Sequence, residues 1–183
     1  AQGLMASIDE VARRARVSKQ TIYNRYGSKT ELIRAMIVRR VRASLSPLQN
    51  VAPEAPVQDT LTAWARTMLQ LVVYGHPLKI LRVTIQAAGQ MPDLAQMVFE
   101  YGPMASRRAL ADYLESQVAL GRLEMDDAME AAEFYAGMVV TSRQIAALMG
   151  LDPVGTEEML QRVSEESARR FVRAYAPTKP ASH

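Results

Sequence analysis

The sequence predicts an all-α protein in two parts, a small N-terminal helical domain and a larger helical C-terminal one. Three observations carry that expectation. Apolar residues recur at three- and four-residue steps along almost the whole chain, and no stretch alternates as a strand would. Ser, Thr or Asp precedes many of these segments, and Gly or Pro follows them, as helix starts and stops require. Charge divides the chain: residues 1–46 hold ten Lys/Arg against three Asp/Glu, a net of +7, while the rest holds twelve against sixteen, a net of −4. A basic domain joined to an acidic one is the electrostatic footprint of a nucleic-acid binder with a second task.

Residues 7–36, SIDEVARRARVSKQTIYNRYGSKTELIRAM, contain three helix starts. Ser7 with Glu10 forms a capping box, and Ile8, Val11, Ala12 and Ala15 then follow at helical spacing. Ser18 is a second N-cap, with Val17 and Ile22 placed as a hydrophobic staple across it. Gly27 sits where a left-handed C-terminal cap is wanted. Ser28 with Glu31 is another capping box, opening a longer helix with Leu32, Ile33, Met36, Ile37 and Val41 inward and Arg39, Arg40 and Arg42 complementing its C-terminal dipole. Two short helices, a tight turn and a longer helix make the helix-turn-helix arrangement, whose second helix enters the DNA major groove. A solvated helical hairpin has the same spacing. The caps, the staple, the glycine stop and the local basicity together favour DNA.

The chemistry of the second helix suits that role. Gln20, Thr21 and Asn24 offer short polar groups for base edges, beside the capping Ser18. Lys19 and Arg25 carry charge toward phosphates, and Tyr23 and Tyr26 offer phenolic hydroxyls. Lys29 lies in the first turn of the next helix, whose free N–H groups also favour a phosphate.

This run resembles the DNA-binding domain of the tetracycline-repressor-like (TetR) regulators, whose pattern is V-S-x-x-T-[LIV]-Y-x-[HY]-F-x-[SN]-K-x-x-L. Val17, Ser18, Thr21, Ile22, Tyr23, Tyr26, Ser28, Lys29 and Leu32 fall on it. Two features depart from the family. Arg16 stands where the turn usually carries glycine, which would cost roughly 1 kcal/mol if the position needs a positive φ. The family also has a helix before the Ser7 cap; with only Ala1 to Ala6 here, Gly3 among them, and no initial Met, that helix is expected in an N-terminal piece not included in the sequence.

Downstream, Ser46 to Pro56 holds three prolines and reads as a connecting loop, so the domains are expected at 1–46 and 47–176. Val57 to Tyr74 is a helix with Leu61, Trp64, Met68, Leu71 and Val72 on one side. Leu78 to Ala88 is apolar nearly all round, which predicts a central, enclosed helix. Pro92 opens a short helix, and Pro103 the next, which runs to about Leu120. Asp126 is expected to cap a long helix to Met149, and Thr156 a last one to Tyr175. Residues 177–183 read as a disordered tail.

The last two long helices carry more apolar face than one monomer core needs, which predicts a homodimer through a four-helix bundle. Two recognition helices about 34–36 Å apart can then read a palindromic operator in double-stranded DNA. The resemblance implies the same dimer, a repressor's role, and a small-molecule effector pocket between the middle helices. Candidate lining is Trp64, Met68, Met97, Tyr101, Phe134 and Met138, apolar and adaptable. Arg82, Gln86 and Arg143 interrupt apolar helices, and each is explained either by a ligand's polar group or by solvent and a nearby acid.

Other classes find less support. The chain has no cysteine, which excludes disulfides and thiolate metal sites, and its two histidines, His76 and His183, have no metal or triad spacing. No phosphate-binding glycine loop appears, so no enzyme activity and no cofactor are expected. No stretch has the length of a membrane span, and a cytoplasmic protein is expected. A helical module that binds small molecules or proteins without DNA is the alternative; it accounts for the amphipathic helices but not for the basic N-terminal motif.

Overall fold

The computed structural model describes residues 8–49, 51–52, 54–151 and 156–178, and among them every regular element is helical. α1 (Ile8–Ala15), α2 (Lys19–Tyr26) and the N-terminal half of α3 (Lys29–Ser44) form the first domain. Its core is small: Ile8, Ala12, Ile22 and Leu32, with Val11 and Tyr26 packed against them. Ser7 lies outside the described residues, and the carboxylate of Glu10 is held by Arg13 and Arg14.

The turn between α1 and α2 closes with two hydrogen bonds, Val17 N–H to the Ala12 carbonyl at 3.1 Å and Arg16 N–H to Arg13 at 3.3 Å. That pattern is a Schellman cap, and it needs a left-handed residue at Arg16. Arg16 indeed has φ 56°, the one positive φ outside glycine among the described residues. Val17 stays 42% exposed, so the staple with buried Ile22 is only partly made. At the end of α2, Gly27 has φ 74° and ψ −48°, and Ser28 N–H reaches the Tyr26 carbonyl at 2.8 Å across it. This is a γ-turn rather than the expected left-handed cap, a conformation that glycine adopts most cheaply. The second capping box is half made. Ser28 Oγ accepts the Glu31 N–H at 3.1 Å, but the Glu31 carboxylate takes the Arg34 guanidinium (Nε–Oε2 2.9 Å) instead of reaching back.

The larger domain holds α4 (Ser46–Gln49), α5 (Val57–Leu69), α6 (His76–Ala87), α7 (Pro92–Phe99), α8 (Ala105–Ala119), α9 (Ala128–Leu148) and α10 (Glu157–Ala174). α4 is one turn inside the stretch read as loop. The core forms where α5 packs along α10 and α8 along α9. Trp64, Tyr135, Phe171 and Tyr175 stack in series, with ring centroids 5.6, 4.9 and 4.6 Å apart. The Tyr135 hydroxyl donates to the Leu61 carbonyl at 2.9 Å, which satisfies the one polar atom on a fully buried ring. Burial pushes that phenol far above its ordinary pKa.

Two expectations about helix ends are corrected. Asp127, not Asp126, caps α9, accepting from Met129 N–H at 2.8 Å and Glu130 N–H at 3.0 Å. Pro103 does not open a helix; it sits within a π-helical turn, Glu100–Met104, that carries α7 directly into α8. Proline has no N–H to give its preceding turn, and a widened turn accommodates that loss. A second π-helical turn, Gln70–Tyr74, ends α5. A Cβ on Gly75 would lie 2.4 Å from the Leu71 carbonyl oxygen, so only glycine closes that turn.

α6 is not enclosed as its composition suggested. Thr84 is its one fully buried residue among those described, and Ile85 is 55% exposed. Its apolar residues split between an inner cavity, lined by Ile80 and Leu81, and an exposed side that carries Ile85. At the C-terminus, Thr178 is tied to Glu124, whose carboxylate accepts its N–H and its hydroxyl at 2.8 Å each. Those two bonds hold the Glu124 carboxyl below its ordinary pKa. The rest of the expected tail lies outside the described residues. No described helix is long and apolar enough to cross a membrane.

Arg16→Gly removes the left-handed penalty and adds back some unfolded-state freedom, so a net gain of about 0.5–1 kcal/mol is expected. Thermal unfolding should shift up by about 2–4 °C. An unchanged or lower midpoint would show that the turn carries no strain.

Candidate nucleic-acid interface and effector cavity

The faces of α2 follow from its caps. Ser18 Oγ accepts the Thr21 N–H at 3.0 Å and lies 2.8 Å from the Thr21 hydroxyl, so Ser18 is occupied in starting the helix. Ile22 is buried and fixes the helix on the domain core. Lys19, Gln20, Thr21, Tyr23, Asn24 and Arg25 are left exposed. Gln20 Nε2 donates to Asn24 Oδ1 at 2.7 Å, which joins the two amides one turn apart. Lys19 Nζ pairs with Asp9 at 3.1 Å, an exposed ion pair of small worth that a phosphate can displace. The Arg25 guanidinium lies over the Tyr26 ring at 5.6 Å, and Tyr26 is half-buried against the core. Lys29 is half-exposed at the first turn of α3. Glu10, held down to about 2 by hydrogen bonds from Arg13 and Arg14, stays ionised and neutralises part of α1's charge.

In the larger domain a cavity of about 160 Å³ opens between the helices. Its walls come from α3 (Ile37, Arg40, Val41, Ser44), α5 (Trp64, Met68), α6 (Ile80, Leu81), α8 (Ser106, Arg107) and α9 (Ala136, Val140, Thr141, Gln144). Both π-helical turns border it, through Leu71 and Val72 on one side and Gly102 and Pro103 on the other. Single π turns recur at functional sites.

Of the eight effector residues expected from sequence, Trp64 and Met68 lie in this wall. The other six do not. Arg82 Nη2 instead donates to the Ala147 carbonyl at 2.8 Å, and Gln86 is exposed. Met97 is half-buried on α7 outside the wall, and Tyr101 carries the Arg34 guanidinium over its ring at 5.5 Å. Phe134 and Met138 point away, 58% and 42% exposed. The reason is angular: at about 100° per residue, Phe134 and Ala136 lie roughly 200° apart on α9, so the outer stripe runs beside the arc of Ala136, Val140 and Gln144 and does not share it. Arg143, also considered, donates to the Val139 carbonyl at 3.2 Å.

Sequence reading missed Arg40 and Arg107. Their signal was available: Ile37, Arg40, Val41 and Ser44 follow the three–four spacing of one helix face, as do Pro103, Ser106 and Arg107. Arg40 was grouped with its neighbours Arg39 and Arg42 as a terminal charge and so hidden. α3 is the shared element. Leu32 belongs to the first-domain core, while residues from Ile37 onward wall the cavity. Among the described residues no cluster of three His, Asp or Glu could hold a metal ion.

Residues 2–36 match the family described as bacterial regulatory proteins of the tetR family. Residues 59–177 match the C-terminal domain of AefR-like transcriptional repressors. The solved structure of the Flavonoid-responsive Regulator FrrA is 31% identical, covers 97% of this chain and 91% of its own, and superposes with a TM-score of 0.76. A putative TetR-family regulator from Mesorhizobium loti MAFF303099 (22% identity, coverage 94% and 87%, TM-score 0.79) has the same fold. So does a TetR regulator from Agrobacterium tumefaciens (23%, 94% and 85%, 0.74). No curated protein sequence is a significant match. With helix-turn-helix and C-terminal domain both matched, the chain belongs to the TetR family of bacterial transcriptional regulators.

Proposed function

We propose that this regulator represses transcription as a homodimer, binds a palindromic operator through α2, and releases it when a small molecule enters the cavity of the larger domain. The observation that carries this reading is the double role of α3. One sixteen-residue helix, about 24 Å long, is core to the first domain at one end and cavity wall at the other. An effector that binds better to a tilted α3 lowers the population that fits DNA; equal affinity for both positions would shift nothing. The flavonoid response in the name of the 31% identical relative supports an aromatic or largely apolar effector.

The dimer is assigned to α9 and α10, with unequal parts. Phe134, Met138, Ile145 and Met149 leave an exposed apolar stripe along α9, and Met149 is 75% exposed. The apolar face of α10 is spent on α5, and its outer side carries Glu166 paired with Arg169 and Arg170. α9 thus supplies an apolar centre and α10 a charged rim, the usual anatomy of an interface.

Mobility shift on DNA from the protein's own promoter, repeated across a salt series, tests the reading. Binding should fall steeply with salt and survive nonspecific competitor. Lys29→Ala should weaken all sequences alike and flatten the log–log salt slope by about one. Gln20→Ala should relax discrimination at one base pair, at a cost of about 1–3 kcal/mol there. Salt-insensitive or absent binding by a folded dimer would instead favour a ligand- or protein-binding module without DNA activity. For the interface, Phe134→Asp with Ile145→Asp should give monomers in sedimentation with helical content unchanged. A persisting dimer would move the interface elsewhere.

A further inference from the structure

The wall of the cavity has an uncompensated sign. Arg40 and Arg107 both line it, and among the described residues no Asp or Glu does. Neither arginine has a carboxylate partner among the described residues; Arg107 Nη1 finds only the Met104 sulfur, at 4.0 Å. Both are half-buried, and a guanidinium keeps its charge at any accessible pH. Charge held against an apolar wall is costly unless an anion meets it. A second observation points the same way. Trp64, also in the wall, is 1% exposed, and its Nε1–H has no acceptor. Ser106 adds a hydroxyl that donates only to the Met68 sulfur, at 3.6 Å. The wall therefore offers donors and positive charge, and among the described residues it holds no carboxylate to match them.

Size and remaining lining define the other half of the ligand. An apolar cavity of roughly 150 Å³ holds benzene, so about 160 Å³ holds one aromatic ring with a short arm rather than a three-ring body. Met68, Ile80, Leu81 and Val140 give that ring aliphatic and thioether surface. Resting on the effector reading above, we infer that the cavity takes a single-ring aromatic carboxylate, its ring among the aliphatic residues and its carboxylate met by Arg40 and Arg107. This narrows the effector from apolar to amphipathic and anionic.

Trp64 is the only tryptophan in the chain, so its fluorescence reports occupancy directly. The full chain is titrated with phenylacetate and with its neutral isostere phenylacetamide. Phenylacetate should bind about ten-fold tighter or more, the worth of one charge-assisted hydrogen bond. Arg107→Gln and Arg40→Gln should each bring that ratio toward one without weakening phenylacetamide. Arg107→Lys, which keeps the charge and the fold, should retain part of the preference. Equal binding of acid and amide, or no response to phenylacetate, overturns the inference. Promoter DNA in parallel samples separates this from the regulatory reading. Trp64 titration without DNA release leaves the ligand class standing and removes the release mechanism. Release by the amide as readily as by the acid does the reverse.

Discussion

Everything distinctive in this molecule depends on α3 being rigid and shared. Its N-terminal turn is fixed by the Ser28 cap and the Glu31–Arg34 pair, and its first half is locked on the first domain through Leu32. Its second half has no separate core; Ile37, Arg40, Val41 and Ser44 face a cavity that the larger domain completes. A helix of that length does not bend cheaply, because bending breaks backbone hydrogen bonds unless proline or a bulge intervenes, and α3 has neither. Displacement at one end therefore appears at the other.

The larger domain divides into a fixed and an adaptable part. The Trp64–Tyr135–Phe171–Tyr175 series and the α5–α10 contact make the fixed part, with the Arg66 side chain bonding Gln161 at 3.0 Å across it. The adaptable part is α6, α7 and the Glu100–Met104 π-helical turn, where few side chains are fully buried. Regions with few buried contacts open at low free energy cost, which is where a ligand can act. The cavity lies between the two parts. Arg34 over Tyr101 ties α3 to the adaptable side, so that movement there has a direct route to the DNA-binding domain.

What the sequence made legible was local, and what it concealed was angular. The caps at Ser18 and Thr156 form as read, and Ser28 makes its half of the capping box, because each depends on residues three apart. The penalty suspected at Arg16 is present, because Schellman geometry demands a left-handed residue whatever the side chain. The polar face of α2 is likewise a matter of neighbours on one helix. Phe134 and Met138 could not be assigned a side by hydropathy, since α9 is apolar on both its cavity face and its outer face. α6 was read as enclosed for the same reason, and Pro103 as a helix start because a π turn has no signature in residue spacing. Which apolar face meets a ligand and which a second subunit is a tertiary fact.

Transmission through α3 can be measured directly. The chain has no cysteine, so Ala15→Cys on the exposed end of α1 gives one spin label per subunit. The label-to-label distance across the dimer is then recorded by pulsed electron resonance, with and without phenylacetate at a concentration that saturates the Trp64 signal. The account predicts one distance distribution on operator DNA and a displaced one with ligand, in step with loss of DNA binding. An unchanged distribution in samples that have released the DNA would contradict it, and would place the control of binding somewhere other than α3.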